Sequence, residues 1–398
     1  MAELRRKLRL GAAGLGRGFT LMLPTLQKDP RIELVAAADP RAEARARFTA
    51  DFGGRAYATA EELCADPSVE VVYVATPHQF HAAHAALAAS LGKHLLVEKP
   101  MALTVEECRS MIEAARVGGV QMVVGHSHSF DSPVRRAREL IDAGEVGRVR
   151  MIQAFNYTDF LYRPRRPEEL DTAQGGGVLF NQASHQIDVV RYLAGGKAKS
   201  VRAVTGSWDP ARPTEGAYSA LLTFEDGVFA SLTYSGYAHF DSDELSEWVG
   251  EGGQVKDPSR YGDARGSLKQ ATDPATEALM KGEANYGGAA YRPGERDAKW
   301  HAHFGEVLVC GERGDLRPVP RGVMLYGNEQ RRLETVPVPS VPRVEVIDEL
   351  YEALVEGRAP VHDGAWALAT LEVCLALLRS ARENREVALE NQVALPRP

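Results

Sequence analysis

The sequence predicts an α/β protein, with an N-terminal Rossmann dinucleotide-binding domain followed by a C-terminal α/β domain built on an open, largely antiparallel sheet. Three observations carry this. Strand and helix patterns alternate through about the first 125 residues. The strands there are unbroken runs of Val, Ile, Leu and Ala, as in a parallel sheet buried on both faces. A glycine-rich turn, Gly11-Ala12-Ala13-Gly14-Leu15-Gly16-Arg17-Gly18, joins the first strand to the first helix.

Taken in order, strands are expected at Leu8–Ala13, Ile32–Ala38, Val69–Ala75, His94–Val97 and Gln121–Val124, with helices running to Lys28 and over Arg41–Phe52, His81–Leu91 and Val105–Val117. A helix follows over Ser132–Ala143. Strand-like segments then stand at Val149–Asn156, Ser200–Ser207, Ser219–Phe224, Val228–Ser235 and Val307–Cys310. Residues 254–296 are rich in Gly, Asp, Lys and Pro without sustained periodicity, which reads as an insertion or lid. Helical spacing returns at Val344–Glu356 and Ala365–Asn384. The expected division is a nucleotide-binding domain over 1–128 and a substrate and oligomerisation domain over 129–398, since one core seldom grows to 398 residues.

Composition excludes several classes. With 44% hydrophobic and 25% charged residues the chain is an ordinary globular one, and a net charge of −7 gives no global field to hold nucleic acid or an anionic membrane. Four dispersed cysteines, Cys64, Cys108, Cys310 and Cys374, show no CxxC pairing, so neither a zinc site nor a disulfide framework is expected and a cytoplasmic setting fits. No apolar run of about 18 residues is found, so no membrane-spanning helix is expected. Paired arginines near the start are read as leading into the first strand rather than as a signal.

The glycine turn places backbone amides of Gly14, Leu15, Gly16, Arg17, Gly18 and Phe19 where a helix N-terminus can hold a pyrophosphate. Asp39 closes the second strand, where a carboxylate accepts from a ribose 2′-hydroxyl and repels a 2′-phosphate, so NAD is expected over NADP. Arg41 is the opposing signal, a guanidinium able to receive that phosphate. Phe19 stands where a small residue ordinarily allows close packing of helix on strand, so Gly18 is expected to relieve the crowding.

Two further segments, Val74-Ala75-Thr76-Pro77-His78-Gln79-Phe80-His81 and Val97-Glu98-Lys99-Pro100, resemble the Gfo/Idh/MocA oxidoreductases. The resemblance implies that Ala75, Thr76, Pro77, His81, Glu98 and Lys99 line the cofactor pocket. Lys99 is also implied in catalysis, because its ammonium can stabilise negative charge growing on a substrate oxygen. A third segment, Gly175-Gly176-Gly177-Val178-Leu179-Phe180-Asn181-Gln182-Ala183-Ser184-His185-Gln186-Ile187-Asp188, leads into a helix with Leu179, Ala183, Ile187 and Val190 on an apolar stripe and Asn181, His185 and Asp188 on a polar face. The resemblance makes His185 the acid/base. Asn181 stands where the family carries aspartate; an amide takes up no proton, so Asn181 and Gln182 are expected to orient substrate. Asp188 either orients the imidazole or serves the helix alone.

Arg163, Arg165 and Arg166 form a cationic loop just upstream, suited to substrate carboxylates and equally to a subunit contact. With the glycine turn and the His185 helix, the loop resembles the branch of the family that oxidises phthalate 4,5-cis-dihydrodiols. His128 is expected at substrate; His126/His128 and His301/His303 are weak metal signals, and no metal is expected. The expected enzyme is thus an NAD-dependent dehydrogenase of a carboxylated cis-dihydrodiol, a homodimer or homotetramer by resemblance. Its rivals are a sugar, inositol or nucleotide-sugar uronate dehydrogenase, and a dinucleotide-sensing regulator without turnover.

Overall fold

The computed structural model of the chain describes residues 6–292 and 298–396. Two compact units emerge, one of Met1–His126, Leu279–Gly294 and Pro339–Leu368, the other of Ser127–Ala278, Glu295–Val338 and Ala369–Pro398.

The first unit carries strands β1 (Leu8–Ala13), β2 (Ile32–Ala38), β3 (Arg55–Tyr57), β4 (Val71–Val74), β5 (His94–Val97) and β6 (Met122–Val124), alternating with helices α1 (Arg17–Lys28), α2 (Ala42–Phe52), α3 (Ala60–Ala65), α4 (His81–Ser90) and α5 (Val105–Gly118). The strands form one sheet in the order β3-β2-β1-β4-β5-β6, every pair parallel. All four residues of β4 are buried, as the unbroken apolar runs require. Chain order reverses at β1, so the carboxyl ends of β1 and β4 open a crevice that Gly14 and Ala75 both border.

The second unit holds α6 (Ser132–Asp142), β7 (Val149–Tyr157), α7 (Ser184–Ala194), β8 (Ala198–Gly206), β9 (Ala217–Phe224), β10 (Phe229–Ser235), α8 (Asp263–Leu268), the first half of α9 (Pro274–Glu283), and β11 (Glu306–Gly311), β12 (Asp315–Val319), β13 (Gly322–Tyr326) and β14 (Arg331–Thr335). With β15 (Val387–Ala388) these strands make a nine-stranded sheet, β14-β13-β12-β11-β7-β10-β9-β8-β15, in which only β7 and β10 run parallel. Ile187, Val190 and Leu193 of α7 join Ala154, Leu222 and Leu232 in the core beneath it.

The helix α10 (Val344–Tyr351) packs in the first unit, although the expected boundary put everything beyond 128 in the second domain. The cause is polar: Arg31 pairs with Asp348 at 2.7 Å and lies over the Tyr351 ring, and Val124 donates its backbone N–H to His362 O at 2.8 Å. The 254–296 segment also departs from expectation, since it contains α8 and the start of α9 in one unit and Leu279–Arg292 in the other. Its residues 293–296 lie outside the described residues, as do residues 1–5 ahead of β1. Helix α11 (Gly364–Glu383) is long and apolar enough by composition to cross a membrane, but 67% of its most apolar stretch is buried inside the protein, as befits a core helix.

Candidate active site

The candidate nucleotide-binding residues are built on the first unit. Gly14 has φ +93°, and a Cβ there would come within 2.7 Å of Ala75 O, so the β1–α1 turn needs glycine to pass the end of β4. Gly16 caps α1 without a side-chain hydrogen bond, no acidic residue occupies the first turn, and a Cβ at Gly16 would meet nothing within 4 Å. This is an open cradle at a helix N-terminus, and it fits a pyrophosphate. At Gly18 a Cβ would lie 3.0 Å from Glu98 Cγ, so this glycine admits the Glu98–Lys99 turn. Phe19 is fully buried, edge-on to Tyr286 at 5.3 Å, which is how the chain absorbs a large residue there. Leu15 is also buried; it and Phe19 have only their backbones to offer a ligand, and Arg17 is exposed.

Asp39 and Arg41 are found paired rather than as independent signals. Asp39 Oδ2 accepts from Leu15 N at 2.9 Å, and Oδ1 accepts from Arg41 N at 2.9 Å and Nε at 3.0 Å. Arg41 further donates to Leu15 O and to Tyr286 O, so residue 286 closes the network.

His81 is displaced from its expected role. It is fully buried, its Nε2 2.8 Å from Thr76 O and its Nδ1 3.0 Å from Pro100 O, so it joins the Thr76–Pro77 turn to the Lys99–Pro100 turn and cannot touch a ligand. Burial lowers its pKa, against those carbonyl bonds. The sequence reading missed its neighbour His84, whose Nδ1 lies 3.1 Å from Thr76 Oγ1; the spacing of three from His81 on α4 was the available signal. Ala75 is buried, while Thr76, Pro77 and Lys99 are half-exposed. Glu98 accepts from Tyr73 Oη, and burial pushes its carboxyl above the usual range despite that bond.

A second group of candidate residues lies in the other unit. A π turn at Leu179–Ala183 precedes α7, and it separates the three residues expected on one polar face. Asn181 turns its amide back to Gly177 O at 2.8 Å and Gly175 O at 3.3 Å, holding the glycine lead-in. Asp188 is buried and accepts from Ser129 Oγ and, at 3.4 Å, from Thr370 Oγ1. Neither sequence alternative for Asp188 foresaw that tie. His185 and Gln182 are half-buried, and His185 Nδ1 stands 3.5 Å from Ser127 Oγ.

Three rings meet at His185. His128 lies edge-to-face with it at 4.9 Å and 71°, and Phe304 lies 5.1 Å from His185 and 5.2 Å from His128. Tyr234 stacks behind Phe304 at 6.1 Å. Asp131 Oδ2 is 2.7 Å from His128 Nδ1. The sequence reading missed Asp131, Tyr234 and Phe304, although Asp131 sits only three residues beyond His128.

The arginine loop divides. Arg166 is drawn off by Glu168 at 3.1 Å and Glu169 at 3.5 Å, and Arg163 by Asp159 at 3.1 Å. Burial works against charge on Arg163, but Glu251 and Asp159 prevail and leave its pKa raised. Arg165 is 9% exposed, with its guanidinium 3.6 Å over the Phe160 ring and one nitrogen on Phe160 O at 2.6 Å. Its Nε has no hydrogen-bond partner among the described residues, and burial draws its pKa down to about 10, still cationic near neutrality. Helix α9 supports the loop through Glu277, which accepts from Arg165 N at 2.7 Å and pairs with Arg212 at 2.8 Å. Burial raises the Tyr234 hydroxyl pKa, and the charges on Arg163 and Arg165 act against that rise.

His301 and His303 both bond to backbone carbonyls. His301 Nε2 contacts Val336 O at 3.0 Å and His303 Nε2 contacts Val249 O at 2.7 Å, and no cluster suited to a metal occurs among the described residues. The four cysteines are free thiols.

Residues 8–126 match the oxidoreductase family with NAD-binding Rossmann fold, and residues 134–256 match the Gfo/Idh/MocA C-terminal domain. The chain is 49% identical, over 94% of its length and 95% of the relative's, to 1-carboxy-3-chloro-3,4-dihydroxycyclohexa-1,5-diene dehydrogenase of Comamonas testosteroni. It is 43% identical to a Bordetella bronchiseptica RB50 protein described as a dehydrogenase, whose crystal structure superposes with a TM-score of 0.91 over 96% of this chain and 100% of that one. A levoglucosan dehydrogenase shares the fold, with a TM-score of 0.72 at 19% identity over 96% of this chain and 99% of its own. Matched in both its nucleotide-binding and C-terminal parts, the chain belongs to the Gfo/Idh/MocA family of NAD-binding oxidoreductases.

Proposed function

We propose that this enzyme oxidises a carboxylated cis-dihydrodiol of cyclohexadiene to the corresponding catechol. The observation that carries the reading is the 49% identity, over nearly the whole chain, to a dehydrogenase of a carboxylated dihydroxycyclohexadiene. Phe304 beside His185, backed by the buried Tyr234, and the cationic Arg163 and Arg165 suit a flat ring bearing a carboxylate.

Bound NAD supplies the hydride acceptor for the carbinol carbon. Gly14, Gly16 and Gly18 would let the backbone close on its pyrophosphate, and the Asp39–Arg41 pair would meet its ribose. His185 takes the hydroxyl proton, and Lys99 stabilises the negative charge that grows on that oxygen. Arg165 grips the substrate carboxylate. The enone left by oxidation shifts a proton from carbon to oxygen to become a catechol, and aromatisation draws the reaction forward. We also propose that the enzyme is a cytoplasmic homo-oligomer, a reading supported by its four free thiols and by apolar side chains on the outer face of the nine-stranded sheet.

The test is NADH absorbance with purified protein against carboxylated cis-dihydrodiols, diols lacking the carboxylate, sugars and nucleotide-sugar uronates. The highest kcat/KM is expected on a carboxylated diol; a preference for a sugar or uronate would overturn the reading.

A further inference from the structure

Replacing the family's aspartate by Asn181 removes a carboxylate from the acid/base helix, and Asn181 spends its amide on Gly175 and Gly177. A carboxylate nevertheless reaches His185 by another route. Asp131 stands at the N-cap of α6, yet its side chain makes no cap hydrogen bond to the helix. It accepts instead from His128 Nδ1 at 2.7 Å, where both residues are 6% exposed. The positive end of α6 favours its ionised form.

We propose that Asp131 and His128 are a positioning pair for His185, supplying at one remove the negative charge that position 181 lacks. This rests on the reading of His185 as the acid/base. A neutral imidazole has one N–H, and donating it from Nδ1 to Asp131 fixes the tautomer and the plane of the His128 ring. That ring meets His185 edge-to-face at 4.9 Å, and Phe304 closes on both rings. The turn His128–Phe130 is itself fastened to α7, because Ser129 donates to Asp188 one helical turn beyond His185. When His185 takes the substrate's hydroxyl proton and becomes a cation, the Asp131 carboxylate compensates it through the polarised His128 ring.

His185 approaches His128 from α7, and His303 shares with His128 a cavity of about 20 Å³ that Phe304 also lines. Asp243 stands 3.6 Å behind His303, against Lys256.

The experiment compares wild type with Asp131→Asn, which keeps shape and removes charge, and Asp131→Glu, which keeps charge. For Asp131→Asn, kcat on the diol is expected to fall roughly ten- to a hundredfold with KM little changed, as when the partner orienting a working histidine is lost. The acidic limb of the kcat–pH profile should move to lower pH, because a protonated His185 loses its compensating charge. Asp131→Glu should recover part of the rate and leave the limb in place. NMR titration of 13C-labelled histidines without substrate or NAD should show the His185 ring titrating at lower pH in Asp131→Asn. A wild type that oxidises no diol would end the substrate reading and leave that titration standing. A fall in kcat with limb and titration unmoved would make Asp131 a structural residue and overturn the inference, as would an unchanged kcat. Should Asp131→Asn not fold, His128→Gln still presents an N–H to Asp131 without the ring. The same fall in kcat, with NAD affinity retained by fluorescence titration, is then expected, and an unchanged kcat would overturn the proposal.

Discussion

A carboxylate and a guanidinium two residues apart gave opposite forecasts for the cofactor, and the structure joins them. Asp39 is 5% exposed and anchors both the glycine turn and Arg41. Asp39→Asn should free the Arg41 guanidinium for a 2′-phosphate, and one charge-assisted hydrogen bond contributes about 1.5–3 kcal/mol. The ratio of kcat/KM for NADP to that for NAD is therefore expected to rise roughly ten- to a hundredfold; a fixed ratio would show that another group discriminates. Lys99→Ala and His185→Ala should each depress kcat by at least about a hundredfold in folded protein, the loss that follows removal of a placed acid/base or charge-stabilising group. Near-normal turnover in either would remove that residue from the chemistry. The arginines part company as well. Arg165→Lys keeps the charge but loses the fork, and should raise KM for a carboxylated diol about tenfold. Arg166→Ala should change it less than about threefold, since a half-exposed ion pair contributes little. A diol lacking the carboxylate should be indifferent to both variants, and equal losses on the two substrates would reduce Arg165 to a structural role.

At the level of elements, the glycine turn separates folding from binding. A Cβ at Gly16 meets open space at an ordinary φ of −85°, whereas one at Gly14 meets Ala75 O at 2.7 Å in a left-handed conformation. Gly16→Ala should therefore keep a wild-type Tm while NAD affinity, read by fluorescence titration, falls about tenfold or more, a cost of about 1.4 kcal/mol per decade. A lowered Tm would mean that Gly16 is needed by the fold itself. Helix α9 and the residues after it show a second division of labour. Glu277 fixes the arginine loop in one unit, and Tyr286 fixes Phe19, Arg41 and, through its hydroxyl, Asp51 at 2.7 Å in the other. A segment that reads as polar and aperiodic is thus tied down by a few specific polar and aromatic contacts.

On the scale of the whole molecule, the second unit buries α7 under one face of its sheet and leaves apolar side chains on the other. Val204, Leu221 and Phe229 are 57%, 46% and 42% exposed, on strands that are neighbours in the sheet. Contiguous exposed apolar surface on a sheet marks an interface. Leu221→Glu is expected to shift the species seen by light scattering toward monomer, because association would bury an unpaired charge. An unaltered mass would place any interface elsewhere.

Much of this protein was legible in its sequence, and the limit has a physical form. Unbroken apolar runs, the glycine turn and Asp39 belong to local patterns, and a buried parallel strand or a helix N-terminus makes the same demand wherever it occurs; element ends differ by about two residues at most, except that α10 gives way to a π turn over Glu352–Glu356. The Gfo/Idh/MocA resemblance likewise rests on short contiguous segments. Short edge elements were passed over: β3 spans three residues, and α3 was announced only by the Thr59–Glu62 capping box. What sequence left undecided are contacts between residues far apart in the chain. Asp188 reaches Ser129 59 positions away, Arg41 reaches Tyr286 245 away, and Phe304 joins His128 and His185 from beyond the 254–296 segment. Helical spacing put Asn181, His185 and Asp188 on one face, but the π turn at Leu179–Ala183 interrupts that spacing, local hydrogen bonds to Gly177 O and Gly175 O claim Asn181, and a tertiary one from Ser129 claims Asp188. Periodicity thus determined most of the elements, although β12, β13 and β14 were passed over along with β3 and α3, and the family resemblance supplied the candidate chemical residues. Only packing decided which partner each buried polar group takes, because that depends on the donors and acceptors the fold brings within reach.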